Sequence, residues 1–198
     1  MLDFIEHEGL NYIDSDEVKH KIVLTHTSRN IRDYLVSLKK RRYGQNYKIP
    51  HYIIDRSGLI HKLVDESKQT NYLSDVNLNK ESVVVSLENL GWLEKEPLKK
   101  HYLNWIGDIY KGDVFEKKWR DRYYWEPYKD EQIFSLLKVL SYLTEKMGIE
   151  FNVVEHNTLI KEINKYKGVV TRSNFSDNFT DLNPSFNFER ILKKIENE

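Results

Sequence analysis

The stretch "HYIIDRSGLIHKLV", His51–Val64, decides how the chain is read. Two β-rich runs, His51–Ile54 and Leu59–Val64, flank the polar turn Asp55-Arg56-Ser57-Gly58, the pattern of a β-hairpin. Upstream, "KIVLTHTS" gives a short buried strand, Ile22–Leu24, that runs out at Thr25-His26. Downstream, "ESVVVSLEN" gives another, Val83–Leu87. An unbroken apolar run this short is the mark of a buried strand.

Helices lie between and beyond these strands. "RNIRDYLVSLKKRRYG" places Ile31, Tyr34, Leu35 and Leu38 at helical spacing, crowds basic residues at its end and stops at Gly44. "DEQIFSLLKVLSYLTEKMG" is the clearest helix. Asp130 is expected to cap it, Ile133, Leu136, Leu137, Leu140, Tyr142 and Leu143 make its apolar face, and Gly148 ends it. "KGVVTRSNFSDNFTDLNPSF" opens on a last strand, Gly168–Thr171, and "NFERILKKIENE" closes with a short helix. Alternating strands and helices predict an α/β protein with a central mixed β-sheet flanked by helices, a single domain over residues 1–198. Lys95–Tyr128 mixes Trp and Tyr with charge and shows no clean period, so it reads as an aromatic-rich insertion of short strands or turns.

Composition narrows the function. The 198 residues suffice for a sizeable core, and 39% apolar with 13% aromatic content argues against disorder. Lys+Arg and Asp+Glu balance at 31 each, so no bulk field draws the chain to nucleic acid or to an anionic membrane. Without cysteine there is no disulfide and no thiolate metal site. The start, "MLDFIEHEGL", has no apolar core of a signal peptide, and no apolar run approaches a membrane span. The expectation is synthesis in a cytoplasm, with association to a virion or release at lysis as routes outward.

Four features could carry chemistry. His26 stands at the end of a buried strand, good placement for a metal ligand, although a single such histidine is more often a hydrogen-bonded strand-end residue. Asp181, nine residues after Arg172 and shortly before Pro184, could complete a metal site or cap a turn. His51 and His61 on the hairpin read as surface or packing histidines. Trp105, Trp119 and Trp125 in the insertion could stack on sugar faces, fill an interface or form a satellite core.

The order of these pieces is more specific than any one of them. A strand ending in "THTS", the "HYIIDRSGLIHKLV" hairpin, "SVVVSLEN", a long helix and a "GVV…TDLNPSF" terminus together resemble the zinc-dependent N-acetylmuramoyl-L-alanine amidase family, which includes the peptidoglycan recognition proteins. "YWEPYKDEQ" and "RSNFSDNFTDLNPSF" look like its bacteriophage branch. The resemblance implies the family's α/β fold, zinc as cofactor if the protein is active, and peptidoglycan fragments as ligands. Other phage or virion proteins are the alternative partners.

Carried over position by position, the resemblance puts the first zinc ligand on His26, the third on Asp181 and the second on Arg172. A guanidinium cannot ligate zinc. The position of the catalytic Glu falls on Ser86, with Glu88 two residues on as a possible substitute proton shuttle. The Tyr of some branches is Pro50, and a His after the hairpin is Asn71. These departures imply a degenerate metal site holding no zinc, with Arg172 paired to Asp181. The alternative is a site completed by His51, His156 or a partner's ligand. Arg172, His51, Asn71, Trp119 and Trp125 are then the candidate binding residues. Three functions stay open: a zinc-deficient pseudoenzyme with a binding or structural role, a working amidase with an altered metal shell, and a glycopeptide receptor.

Overall fold

In the computed structural model, which describes residues 2–155 and 158–195, strands and helices follow one another as β1 (Ile5–Glu6), β2 (Lys21–His26), α1 (Ile31–Lys40), β3 (Tyr52–Ile54), β4 (Ile60–Lys62), α2 (Val76–Glu81), β5 (Ser82–Leu87), β6 (Trp92–Lys95), β7 (Tyr102–Leu103), β8 (Ile109–Tyr110), β9 (Phe115–Trp119), β10 (Arg122–Trp125), α3 (Asp130–Met147), β11 (Gly168–Thr171) and α4 (Glu189–Ile195). Six strands form the central sheet in the order β1-β4-β3-β5-β2-β11. The sheet is mixed. β3, β5, β2 and β11 run parallel, and β4 turns back antiparallel to β3 through the expected hairpin.

The unbroken apolar runs reflect burial on both faces of this sheet. Ile22 and Leu24 of β2, Val83, Val85 and Leu87 of β5, Tyr52 and Ile54 of β3 and Val169 of β11 pack under Ile133, Leu136, Val139, Leu140 and Leu143 of α3. The alternate residues Val23, Val84 and Val170 face the other way, onto Tyr72, Leu73 and Leu78. Ile53 meets Tyr34 and Leu38 of α1. Glu66 sits fully buried beneath α3, taking a hydrogen bond from Tyr52 at 2.6 Å and an ion pair from Lys146.

Helix starts depart from expectation in detail. Asn30 caps α1 by accepting the Asp33 N–H at 2.9 Å. The residue capping α3 is Lys129, one position before Asp130, and the Gln132 side chain reaches back to its N–H at 3.1 Å. Asp130 is instead the first helical residue, where its charge complements the helix dipole and pairs with Arg190.

The insertion is a second sheet. Its five antiparallel strands, ordered β8-β7-β6-β10-β9, start at Trp92, ahead of the predicted boundary. Two contacts tie it to the first sheet's carboxyl edge. Trp105 Nε1 donates to Ser28 O at 2.6 Å, and Arg120, on the β9–β10 turn, donates to Ser173 O at 3.1 Å and Ser176 O at 2.9 Å. Among the described residues no helix is long and apolar enough to cross a membrane.

Candidate functional site

Parallel strands present their carboxyl ends together, and open α/β sheets bind ligands in the crevice outside those ends. Here β2, β3, β5 and β11 deliver His26, Asp55-Arg56, Glu88 and Arg172 to one end of the molecule. A cavity of about 350 Å³ opens there, lined by His26, Trp92, Trp105, Arg172, Phe179 and Asp181 among others.

Asp181 is the hub of the cavity wall. It is 1% exposed. His26 Nε2 stands 2.5 Å from its Oδ1, and the Arg172 Nε pairs with its Oδ2. Burial alone would raise the Asp181 carboxyl; Arg172 and then His26 outweigh that and hold it well below the usual carboxylate range. Burial would likewise lower Arg172, and Asp181 reverses the direction. The guanidinium is further held between two rings, 5.4 Å from the centre of Tyr72 and 4.9 Å from that of Phe179. The other nitrogen of His26, Nδ1, lies 3.3 Å from both Asn89 O and Ser28 Oγ. Gly91 makes room for this ring: its φ is +82°, and a Cβ there would come within 2.7 Å of His26 Cε1.

Glu88 lies on the far side of Asn89 in a different environment. Its carboxylate accepts the Ile31 N–H at 2.9 Å, so it holds the start of α1. It also accepts the Arg56 N–H at 3.0 Å and pairs with the Arg56 guanidinium. Arg56 continues to Glu126 at 2.8 Å, and Glu126 takes the Leu90 N–H at 2.5 Å. The side chains of Asn89 and Asn183 join the two clusters through a 3.1 Å hydrogen bond, and both donate to Glu126 O.

The remaining candidates divide. Asn71 is exposed on a smaller cavity on the other side of Arg172. Ser86 is fully buried, its Oγ 3.5 Å from Thr25 Oγ1. His51 is not at the cleft: it is fully buried just before β3, with Nε2 3.0 Å from Lys68 O and Nδ1 accepting the Val84 N–H at 3.0 Å. Burial pushes it down to about 4. Trp125 is also away from the cleft, with no exposed surface, its Nε1 donating to Lys117 O at 2.8 Å. Trp119 packs against it within the second sheet, ring centres 5.6 Å apart. The cleft tryptophans are Trp92 and Trp105 instead, each under a guanidinium, Arg122 at 3.8 Å and Arg29 at 5.1 Å. Strands of two to five residues with exposed faces give no period from which to choose among tryptophans. His156 lies outside the described residues. Among the described residues no group of three or more His, Cys, Asp or Glu side chains is placed to hold a metal ion.

Comparison with known proteins gives the same architecture. An N-acetylmuramoyl-L-alanine amidase, LysC of Clostridium intestinale URNW, shares 15% identity at a TM-score of 0.57, with 99% of each chain covered. The amidase AmiD of E. coli, solved with an anhydro-N-acetylmuramic acid peptide described as its substrate, shares 16% identity at a TM-score of 0.57, over 91% of this chain and 58% of that one. AmpDh3 of Pseudomonas aeruginosa, solved with an anhydromuramic pentapeptide, shares 14% at 0.55, over 90% and 60%. No curated protein sequence matches. At these identities the structural likeness concerns the fold. Family membership rests on residues 15–169, which match the family described as N-acetylmuramoyl-L-alanine amidase and stop just short of Arg172. By that match, the chain belongs to the N-acetylmuramoyl-L-alanine amidase family.

Proposed function

We propose that this protein is a non-catalytic member of its family, a module that binds peptidoglycan fragments at the carboxyl end of the central sheet. The observation that carries the reading is the Arg172–Asp181–His26 cluster. The resemblance to zinc amidases calls for three protein ligands around an open coordination position. The residues present do not fit that ion. Two possible donors are already engaged with each other at 2.5 Å, and a guanidinium clasps the free carboxylate oxygen. A fixed cation there repels a metal and leaves Asp181 neutralised.

Glu88 does not supply a substitute proton shuttle in this reading. Two backbone N–H groups and Arg56 occupy its carboxylate, which makes it a structural anchor. What remains suits recognition: a cavity within the usual size range for small ligands, an aromatic shelf of Trp92 and Trp105, and polar groups from Asn178, Thr180 and Arg172. Muramyl peptides offer sugar faces to the shelf and carboxylates to the guanidinium. A setting at a bacterial cell wall or in a bacteriophage particle belongs to the same proposal and rests on the family resemblance.

Muropeptide titration followed by thermal unfolding tests the binding reading. A ligand that binds only the native state must raise Tm. Muramyl peptide is expected to raise it in a saturable way, with Arg172→Met abolishing the shift. No shift at millimolar ligand would overturn the reading.

A further inference from the structure

A second feature lies at the other end of the same groove and goes beyond muramyl-peptide binding. The chain leaves α1 through a turn in which Arg42, Tyr43 and Gly44 all have positive φ, 50°, 55° and 85°. It then runs to Lys48. This segment is pinned rather than loose. Asn11 Nδ2 donates to Gly44 O and Asn46 O, the buried Asn46 donates to Leu38 O, and Asn71 N–H donates to Tyr47 O. A cavity of about 380 Å³ results, lined by Arg41, Arg42, Asn46, Tyr47, Lys48 and Asn71. Lys48 and Asn71 also line the neighbouring cavity that ends at Arg172, so the two are continuous.

The charges here are one-sided. The chain as a whole carries 31 basic and 31 acidic residues, yet no carboxylate lines this cavity. The side chains of Arg41, Arg42 and Lys48 make no ion pair, hydrogen bond or ring contact with any described residue; of the other arginines only Arg32 shares this, and Arg29, Arg56, Arg120, Arg122, Arg172 and Arg190 each have a carboxylate, carbonyl or ring. Lys48 registers the crowding: burial, then Arg172 and Arg41, lower it from its ordinary value. Asp181 offsets this in part from beyond the cavity, but three cations gathered at one anchored loop with no carboxylate among the lining residues make an anion site.

The geometry points to a binding site for a phosphate-monoester dianion formed by Arg41, Arg42, Lys48 and Asn71. The charge balance selects this class. A carboxylate brings one charge and two oxygens and leaves most of the cluster uncompensated. A phosphate monoester brings a charge of about −2 at neutral pH and three strong acceptor oxygens, enough to engage both guanidinium forks and the ammonium. Asn71, whose N–H is tied to Tyr47 O, adds a neutral polar group to the lining.

Calorimetric titration of the full-length protein with inorganic phosphate, glycerol 1-phosphate, a glycerophosphodiester and acetate tests the site. Phosphate and glycerol 1-phosphate are expected to bind, the diester about tenfold more weakly and acetate more weakly still. Affinity for glycerol 1-phosphate is expected to rise from pH 5.5 to 7.5 as the dianion forms around its second pKa of about 6. Binding is expected to release protons over the lower part of that range, because a site that selects the dianion drives the bound phosphate to give up its second proton. Lys48→Ala and the double variant Arg41→Ala/Arg42→Ala should each weaken phosphate binding by about tenfold or more at unchanged Tm, with Lys138→Ala as a neutral surface control. Acetate binding as tightly as phosphate, affinity flat across that pH range, equal affinity in Lys48→Ala, or no phosphate binding at millimolar concentration would each overturn the proposal. A diester equal to the monoester would also overturn it, and would make the site one for a phosphodiester polymer. None of these outcomes bears on whether the cleft takes muramyl peptides, which the Tm titration reads separately.

Discussion

Two arginine–carboxylate centres stand side by side at the carboxyl end of the central sheet, and they are built differently. Glu88 pairs with Arg56, but it also accepts two backbone N–H groups, from Ile31 at the start of α1 and from Arg56 in the hairpin turn. The carboxylate of Asp181 is held by two side chains, His26 and Arg172, beside an open cavity. The first centre joins a helix, a hairpin and a strand, so its loss is a folding event. The second is a charge arrangement at a cleft, where partners can change with the backbone left in place. A buried acid beside a cleft can therefore belong to the scaffold, while the acid at the cavity wall sits where side chains hold its carboxylate.

The largest effect should come from the scaffold centre. Glu88→Ala leaves the half-buried Arg56 beside Glu126 alone and strands two backbone donors. It is expected to destabilise the fold by about 4 kcal/mol in urea unfolding. A loss under 1 kcal/mol would erase the distinction between the centres. Arg172→Met removes the partner of a buried carboxylate and is expected to cost about 3 kcal/mol at neutral pH. The sign with pH follows from the depressed Asp181. Its folded value lies below its unfolded one, so its contribution is present above about pH 4 and fades as pH falls toward the folded value. Arg172→Met should move acid unfolding to higher pH, and an unmoved acid limb would contradict the pairing.

His51 keeps that measurement from being misread. Buried and neutral, it is pushed down to about 4 from 6.5, so the unfolded chain binds a proton that the folded one refuses between those values. Stability should fall by about 1.4 kcal/mol per pH unit as pH drops from 6.5 to 4, above the window in which Asp181 acts. His51→Gln should flatten this upper limb and leave the lower one. The smallest effect is expected at the shelf. Trp105→Ala loses the contact to Ser28 O and the stacking under Arg29, and should weaken muramyl-peptide binding several-fold with little change in Tm.

How much of this was legible in the residues follows from the same physics. β2, β5, β11 and the hairpin could be read because both faces of the sheet are covered and their runs are unbroken. α3 could be read from its period, though not the residue that caps it. The inserted sheet could be placed but not drawn, since β7 and β8 are two residues each and β9 is exposed along most of its length. His26 and Asp181 were singled out by position and joined to Arg172 by the resemblance, and the three lie together in space. The role of Glu88 was hidden because its partners come from sites 57 and 32 residues away. Trp92 and Arg120 escaped, and Trp105 was named but not told apart from Trp119 and Trp125, for the same reason: contacts such as Trp105 to Ser28, Arg120 to the Ser173–Phe179 loop and Trp92 under Arg122 are carried by no local pattern.

Metal content is the most direct test of the central claim, that Arg172 stands where the family's resemblance places a zinc ligand. Protein purified without added zinc, then incubated with one equivalent and desalted, should retain no metal by mass spectrometry and release no stem peptide from muropeptides. Arg172→His should gain measurable zinc binding under the same treatment. Stoichiometric zinc in the unaltered protein, together with free stem peptide, would contradict the account.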